Sequence, residues 1–165
     1  MAEEQVTAGT DGAESAAQQF AMQRIYLKDL SFEAPMGVEA FRKTWKPQVS
    51  QELNTKTSKA GDDLYEVVLT LTITVKLEDE TAFLIEVHQA GLFAIKGIEG
   101  QQLTQVLNST CPNILFPYAR ETVDNTLTKG SFPALMLPPI NFDALFAQAV
   151  TQAKQKAEAE QATVN

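Results

Sequence analysis

Between Leu64 and Glu78 apolar and polar residues alternate. Tyr65, Val67, Leu69, Leu71, Ile73, Val75 and Leu77 hold the odd positions, and Thr70, Thr72, Thr74 and Lys76 hold even ones. A period of two sends successive side chains to opposite faces, so the stretch predicts an antiparallel strand, buried on one face and wet on the other. Asp79 and Glu80 predict the following turn, without the glycine that favours a tight hairpin. The return strand, TAFLIEVHQAGLFAI, sets Phe83, Ile85 and Val87 on one face and Leu84, Glu86 and His88 on the other. An exposed Leu84 beside acids is an unusual surface feature.

Upstream, Phe20, Met22, Tyr26, Leu30 and Phe32 share even positions and predict a first strand, which Pro35 ends. Asp29, Ser31 and Glu33 point the other way, and Ile25 and Leu27 interrupt that polar face. Residues 36 to 47 have no period but carry Phe41 and the single tryptophan, Trp45. Val49 and Leu53 alternate weakly, as in a less buried strand.

KGIEG then breaks the strand pattern, and helical spacing follows in Leu103, Val106 and Leu107. A second helical stretch, with Ile114, Leu115, Tyr118 and Val123 near one face, runs from Pro112 to Lys129, where Gly130 supplies a stop. FPALMLPPI predicts an extended crossing limited by proline. Asn141 caps a last helix whose apolar stripe, Phe142, Leu145, Phe146, Ala149 and Val150, fades after Ala153. Strands first and helices after them predict an α+β fold, with helices on one face of a meandering sheet. Residues 1–19 read as a disordered acidic tail, 20–153 as one domain, and 154–165 as a frayed polar tail.

The chain has 165 residues, 44% hydrophobic and 21% charged, which suits one domain with a moderate core. Its formal net charge of −8 makes nucleic acid and anionic membrane poor partners and a basic segment a better one. No window reaches the roughly 18 apolar residues of a membrane span. The acidic start lacks the features of a signal peptide, so a cytoplasmic protein is expected. A single cysteine permits no internal disulfide.

Candidate chemistry is sparse. Cys111 precedes a predicted helix start, where a thiol can be activated, but a nucleophile also needs a base. The one histidine, His88, lies on the wet strand face, and nothing in the sequence joins the two; a packed small residue is the plainer reading of Cys111. Glu86 and His88 share a strand face, yet a metal site needs three or four ligands and no third is evident. GIEG lacks the Lys-Ser/Thr of a phosphate loop, and Glu99 would repel phosphate, so it reads as a turn. No cofactor is implied, and any activity is expected to be ATP-independent. Asp29, Glu33 and Glu86 form a docking patch if their strands are neighbours, and otherwise a solubilising surface. Phe41 and Trp45 either line an apolar groove or fill the core.

QRIYLKDLSFEAP, YEVVLTLTITVKLEDETAFLIEVHQAGLFAIKGIEG, CPNILFPYARETV and NFDALF together resemble the SecB family of bacterial protein-export chaperones, in unbroken order from Phe20 to Phe146. The resemblance implies a cytoplasmic homotetramer, a dimer of dimers. Each subunit would contribute a four-stranded antiparallel sheet with helices on one face. It implies a holdase that keeps precursor proteins unfolded and passes them to the motor SecA. The basic, zinc-holding C-terminal segment of SecA would dock on Asp29, Glu33, Leu84 and Glu86. Tetramer assembly would depend on Ile85, Val87 and Gln89. Phe41, Trp45 and Phe83, with the last helix, would line the client groove. CPNILFPYARETV would be an interface helix bent at Pro117, with no chemical role for Cys111. The rival reading is a cytosolic holdase, or a small-molecule binding protein, outside export.

Overall fold

The computed structural model describes residues 17–162. The acidic tail expected at the N-terminus lies, up to residue 16, outside the described residues. Four strands, β1 (Gln19–Glu33), β2 (Pro47–Gly61), β3 (Leu64–Leu77) and β4 (Glu80–Lys96), form one antiparallel sheet in the order β1-β4-β3-β2. β2, β3 and β4 make a meander. The segment after β1, which includes a short 3-10 turn at Gly37–Phe41, carries the chain to the opposite edge of the sheet.

The alternation in β3 and β4 is realised as expected. Val67, Leu69, Leu71, Ile73 and Val75 are fully buried, as are Phe83, Ile85 and Val87 opposite them. The hairpin between them differs by one residue. Glu78 and Asp79 make the turn, Glu80 already belongs to β4, and Glu78 takes the left-handed conformation at φ 57°. A tight turn needs that conformation somewhere, and with no glycine present a glutamate adopts it.

β1 departs from the simple even pattern. Its pairing with β4 slips between Met22 and Arg24 and again between Leu27 and Asp29. Each extra residue reverses which side chains face the core. Phe20 and Met22 therefore share a face with Ile25 and Leu27, and then with Leu30 and Phe32. Ile25 and Leu27, which break the sequence pattern, lie on the core face, whereas Tyr26, opposite Ala90, lies on the other.

One continuous helical run covers that core face. α1 (Gly100–Gln105) passes through a π turn (Val106–Thr110) into α2 (Cys111–Lys129). The wider turn is visible in the Cys111 N–H, which donates to the Val106 carbonyl. Pro112, next in line, has no N–H to give, and π turns often absorb such a break in the ladder. Cys111, Leu115, Ala119, Val123 and Leu127 recur every fourth residue and are fully buried against the sheet. Gly91 permits that approach: a Cβ there would lie 2.9 Å from Leu115 Cδ2 and 2.6 Å from Phe93 Cε2.

The stop after α2 also differs from the expected one. Gly130 has an ordinary φ of −77°, and Ser131 adopts the left-handed conformation at φ 62°. The Phe132 N–H then donates to the Leu127 carbonyl at 2.9 Å. Gly130 is needed for space instead, because a Cβ there would sit 2.7 Å from Phe32 Cζ.

The crossing that follows is tied back to α2. Asp124 Oδ1 accepts from the N–H groups of Leu135 and Met136, at 3.0 and 3.3 Å. Asn141 caps α3 (Phe142–Ala162), its Oδ1 accepting the Ala144 N–H at 3.0 Å. α3 continues to Ala162. Buried Ser109, in the π turn, donates to Asp143 Oδ1 at 2.5 Å and fixes the start of α3. Among the described residues no helix is long and apolar enough to cross a membrane.

Candidate docking face and client groove

Part of the sheet face away from α2 is an ordered array of mostly polar side chains, because strand register places them in rows. One row runs Asn54, Thr70, His88, Asp29; the next runs Glu52, Thr72, Glu86, Ser31; the third runs Ser50, Thr74, Leu84, Glu33. Asp29, Glu33, Leu84 and Glu86 thus fall on two neighbouring strands, β1 and β4, within three consecutive rows. Glu33 stands directly opposite Leu84.

Glu86 is held on both sides. His88 Nε2 lies 2.7 Å from Glu86 Oε1, and the Thr72 hydroxyl donates to Oε2 at 3.1 Å. A carboxylate only accepts, so Nε2 presents its N–H to Glu86, and Nδ1 lies 3.4 Å from the Thr70 hydroxyl. The hydrogen bond from His88, and then that from Thr72, lower the Glu86 pKa below its ordinary value.

A second network crosses the same face toward its other end. Tyr26 reaches over Ala90 to hydrogen-bond Glu66, which also accepts from Lys28 Nζ at 2.8 and 2.9 Å. Lys28, then Tyr26, hold the Glu66 carboxyl below its usual range, and the same contact pushes Tyr26 up to about 12. The sequence pattern misses this network because it puts Tyr26 on one face with Phe20, Met22, Leu30 and Phe32.

The proposed client residues meet at a side chain that the sequence reading leaves out. Phe132 sits 4.8 Å from Phe83, 5.2 Å from Phe41 and 5.9 Å from Trp45, measured between ring centres. Phe83 and Phe132 are buried and Trp45 is partly so, while Phe41 is 56% exposed. Phe83 is therefore the floor of the cluster and Phe41 its open rim. The available signal for Phe132 was its place at the head of the apolar crossing FPALMLPPI. Farther along, Leu53 and Thr55 of β2 face Phe142, Leu145, Phe146 and Ala149 of α3 across a cavity of about 460 Å³.

Ile85, Val87 and Gln89 lie on the helix-covered face and are buried within this one chain. Gln89 Nε2 donates to the Tyr26 carbonyl at 3.0 Å, bracing β1 near its second bulge. Met22, Leu27 and Leu30 on β1 share that face but remain exposed, at 44%, 46% and 38%.

Cys111 has no access to solvent, and burial pushes its thiol up to about 12. Because helix continues on both sides of it, it is not at a helix start, which corrects that expectation. His88 is across the sheet on the face opposite α2, so the pair cannot act together. Among the described residues, no group of three or more His, Cys, Asp or Glu side chains could hold a metal ion.

The family described as "Preprotein translocase subunit SecB" matches residues 13–153. The "Protein-export protein SecB" of Hahella chejuensis is 63% identical over 145 residues, covering 87% of this chain and 91% of the relative. That of Cellvibrio japonicus is 60% identical over 144 residues, covering 87% and 86%. That of Marinobacter nauticus is 52% identical over 160 residues, covering 97% and 96%. In fold the chain resembles a SecB-like chaperone of Mycobacterium tuberculosis, solved in complex with a ChAD peptide from the HigA1 antitoxin. The TM-score there is 0.59 at 18% identity, over 73% of this chain and 87% of the other. On the family match and these identities, the chain belongs to the SecB family.

Proposed function

We propose that this chain is an ATP-independent protein-export chaperone of the cytoplasm, a holdase that keeps precursor proteins unfolded and delivers them to SecA. The observation that carries the reading is the SecB family match across residues 13–153. The chemistry is binding, without covalent steps. An unfolded client exposes apolar segments, and the aromatic cluster at Phe132 and the β2–α3 cavity offer apolar surface to cover them. Such burial contributes roughly 25 cal/mol per Å² before ordering costs are subtracted.

Self-association fits the same reading. Met22, Leu27 and Leu30 lie exposed along an edge strand, and Tyr118 is exposed on the outer side of α2. A second copy against β1 and a second dimer against α2 would cover both and make a homotetramer, a dimer of dimers. Ile85, Val87 and Gln89 would act on that assembly from beneath, by setting how α2 and β1 sit. Several grooves in one assembly would let a long client bind at more than one point and raise its affinity.

Asp29, Glu33, Leu84 and Glu86 are the surface for SecA. Leu84 is half-buried and not fully exposed as the alternation predicts, and negative charges around its open part suit a basic, zinc-holding segment that also presents an apolar side chain. In a nucleotide-free refolding assay, the chain at near-stoichiometric amounts should arrest a slow-folding precursor and ignore the folded form. Undisturbed refolding would refute the holdase reading.

A further inference from the structure

The proposed docking face contains one titratable group besides its acids, the chain's one histidine. His88 sits in the row beside Glu86, with Asp29 opposite it on β1. Its side chain is part-exposed, so bulk protons reach it. Both of its nitrogens are engaged, Nε2 with Glu86 and Nδ1 with Thr70. The Thr70 hydroxyl can either donate to a neutral Nδ1 or accept from a protonated one. The ring can therefore change charge without losing a hydrogen bond or moving.

We infer that His88 is a proton-sensitive determinant of docking, which weakens binding of a basic partner when its imidazole is protonated. The inference rests on the docking role proposed above for Asp29, Glu33, Leu84 and Glu86. The local charges set the direction. Glu86 on β4 and Asp29 on β1 are negative; Thr70 and Thr72 on β3 do not titrate; on β2, Glu52 and Lys56 lie in the rows to either side of that of His88 and offset each other, so the acids of β1 and β4 set the sign. Lys28, the nearest basic residue of β1 in sequence, is already paired with Glu66. A neutral ring leaves the acids free to meet an incoming cation. A protonated ring pairs with Glu86 and places a positive charge in the patch, so a basic segment must overcome both effects.

Imidazole is the side chain that ordinarily changes charge between about pH 5 and 8. Docking should therefore be stronger while the ring is neutral and weaken as acidification protonates it. Linkage requires the converse: a bound basic partner must make His88 harder to protonate, by the same factor.

The test measures binding of purified SecA to the wild-type chain and to H88Q, at about pH 8 and about pH 6. Glutamine can still donate to Glu86 but cannot gain a charge. The wild type should lose about fivefold more affinity than H88Q over that interval, a coupling at the low end of the usual range. Comparing the two chains removes any titration of SecA itself. Independently, the one histidine of the chain gives an unambiguous NMR titration, and its midpoint should fall when SecA is bound. Parallel pH profiles for the two chains, with E86K still breaking SecA binding, would overturn the role of His88 alone. Failure of the wild type to bind SecA, or full binding by E86K, would overturn the docking reading and this inference with it.

Discussion

Glu86 is the residue on which the docking account can be tested most cleanly. It is partly exposed, its two oxygens are oriented by His88 and Thr72, and it plays no part in the core. E86K should weaken SecA binding by tenfold or more, about the loss expected when an interface charge is reversed, while client holding survives. Loss of holding with SecA binding intact would contradict the assignment. Glu66 makes a different prediction, about stability and pH. Its folded pKa is lowered, chiefly by Lys28 and then by Tyr26, so the stabilisation is present above the unfolded carboxylate pKa. It is lost as pH falls through the lower folded value. Thermal melts of wild type and E66Q should therefore converge as the solution is acidified through the carboxylate range. A gap that stays constant would show that Glu66 is not coupled to protons in this way.

At the scale of single elements, alternation made β3 and β4 legible, because both strands are central and their helix-side face is fully buried. β1 was less legible, since a bulge leaves no mark in composition and each one flips the pattern. Hence the sequence alternation groups Tyr26 with the even apolar residues and leaves Ile25 and Leu27 looking out of place. The π turn was hidden for a related reason: Pro112 suits a helix start as well as a widened turn inside a helix. The aromatic cluster depends on contacts between segments far apart in sequence, so Phe41 and Trp45 were visible and their common neighbour Phe132 was not. F132A should destabilise the chain by about 3 to 5 kcal/mol, the usual cost of emptying a buried aromatic site. The single tryptophan reports the same change: fluorescence of Trp45 should shift to the red as water enters. An unshifted spectrum would mean that Trp45 does not depend on Phe132 for its environment.

At the scale of the whole molecule, the residues proposed for docking share the open sheet face, while the apolar surfaces proposed for assembly and client binding belong to the helix side, the sheet edge and the crossing. In the proposed assembly, an acidic face would help to keep an apolar, client-binding particle in solution. Light scattering should give a mass four times that of the 18.1 kDa chain. A monomer at working concentration would leave the β1 stripe unexplained. The central claim concerns unfolded clients, and the most direct measurement is refolding of a slow-folding precursor without nucleotide, with and without the chain. The account predicts arrest at near-stoichiometric amounts and no effect on the precursor once it has folded. Refolding at an unchanged rate would contradict it.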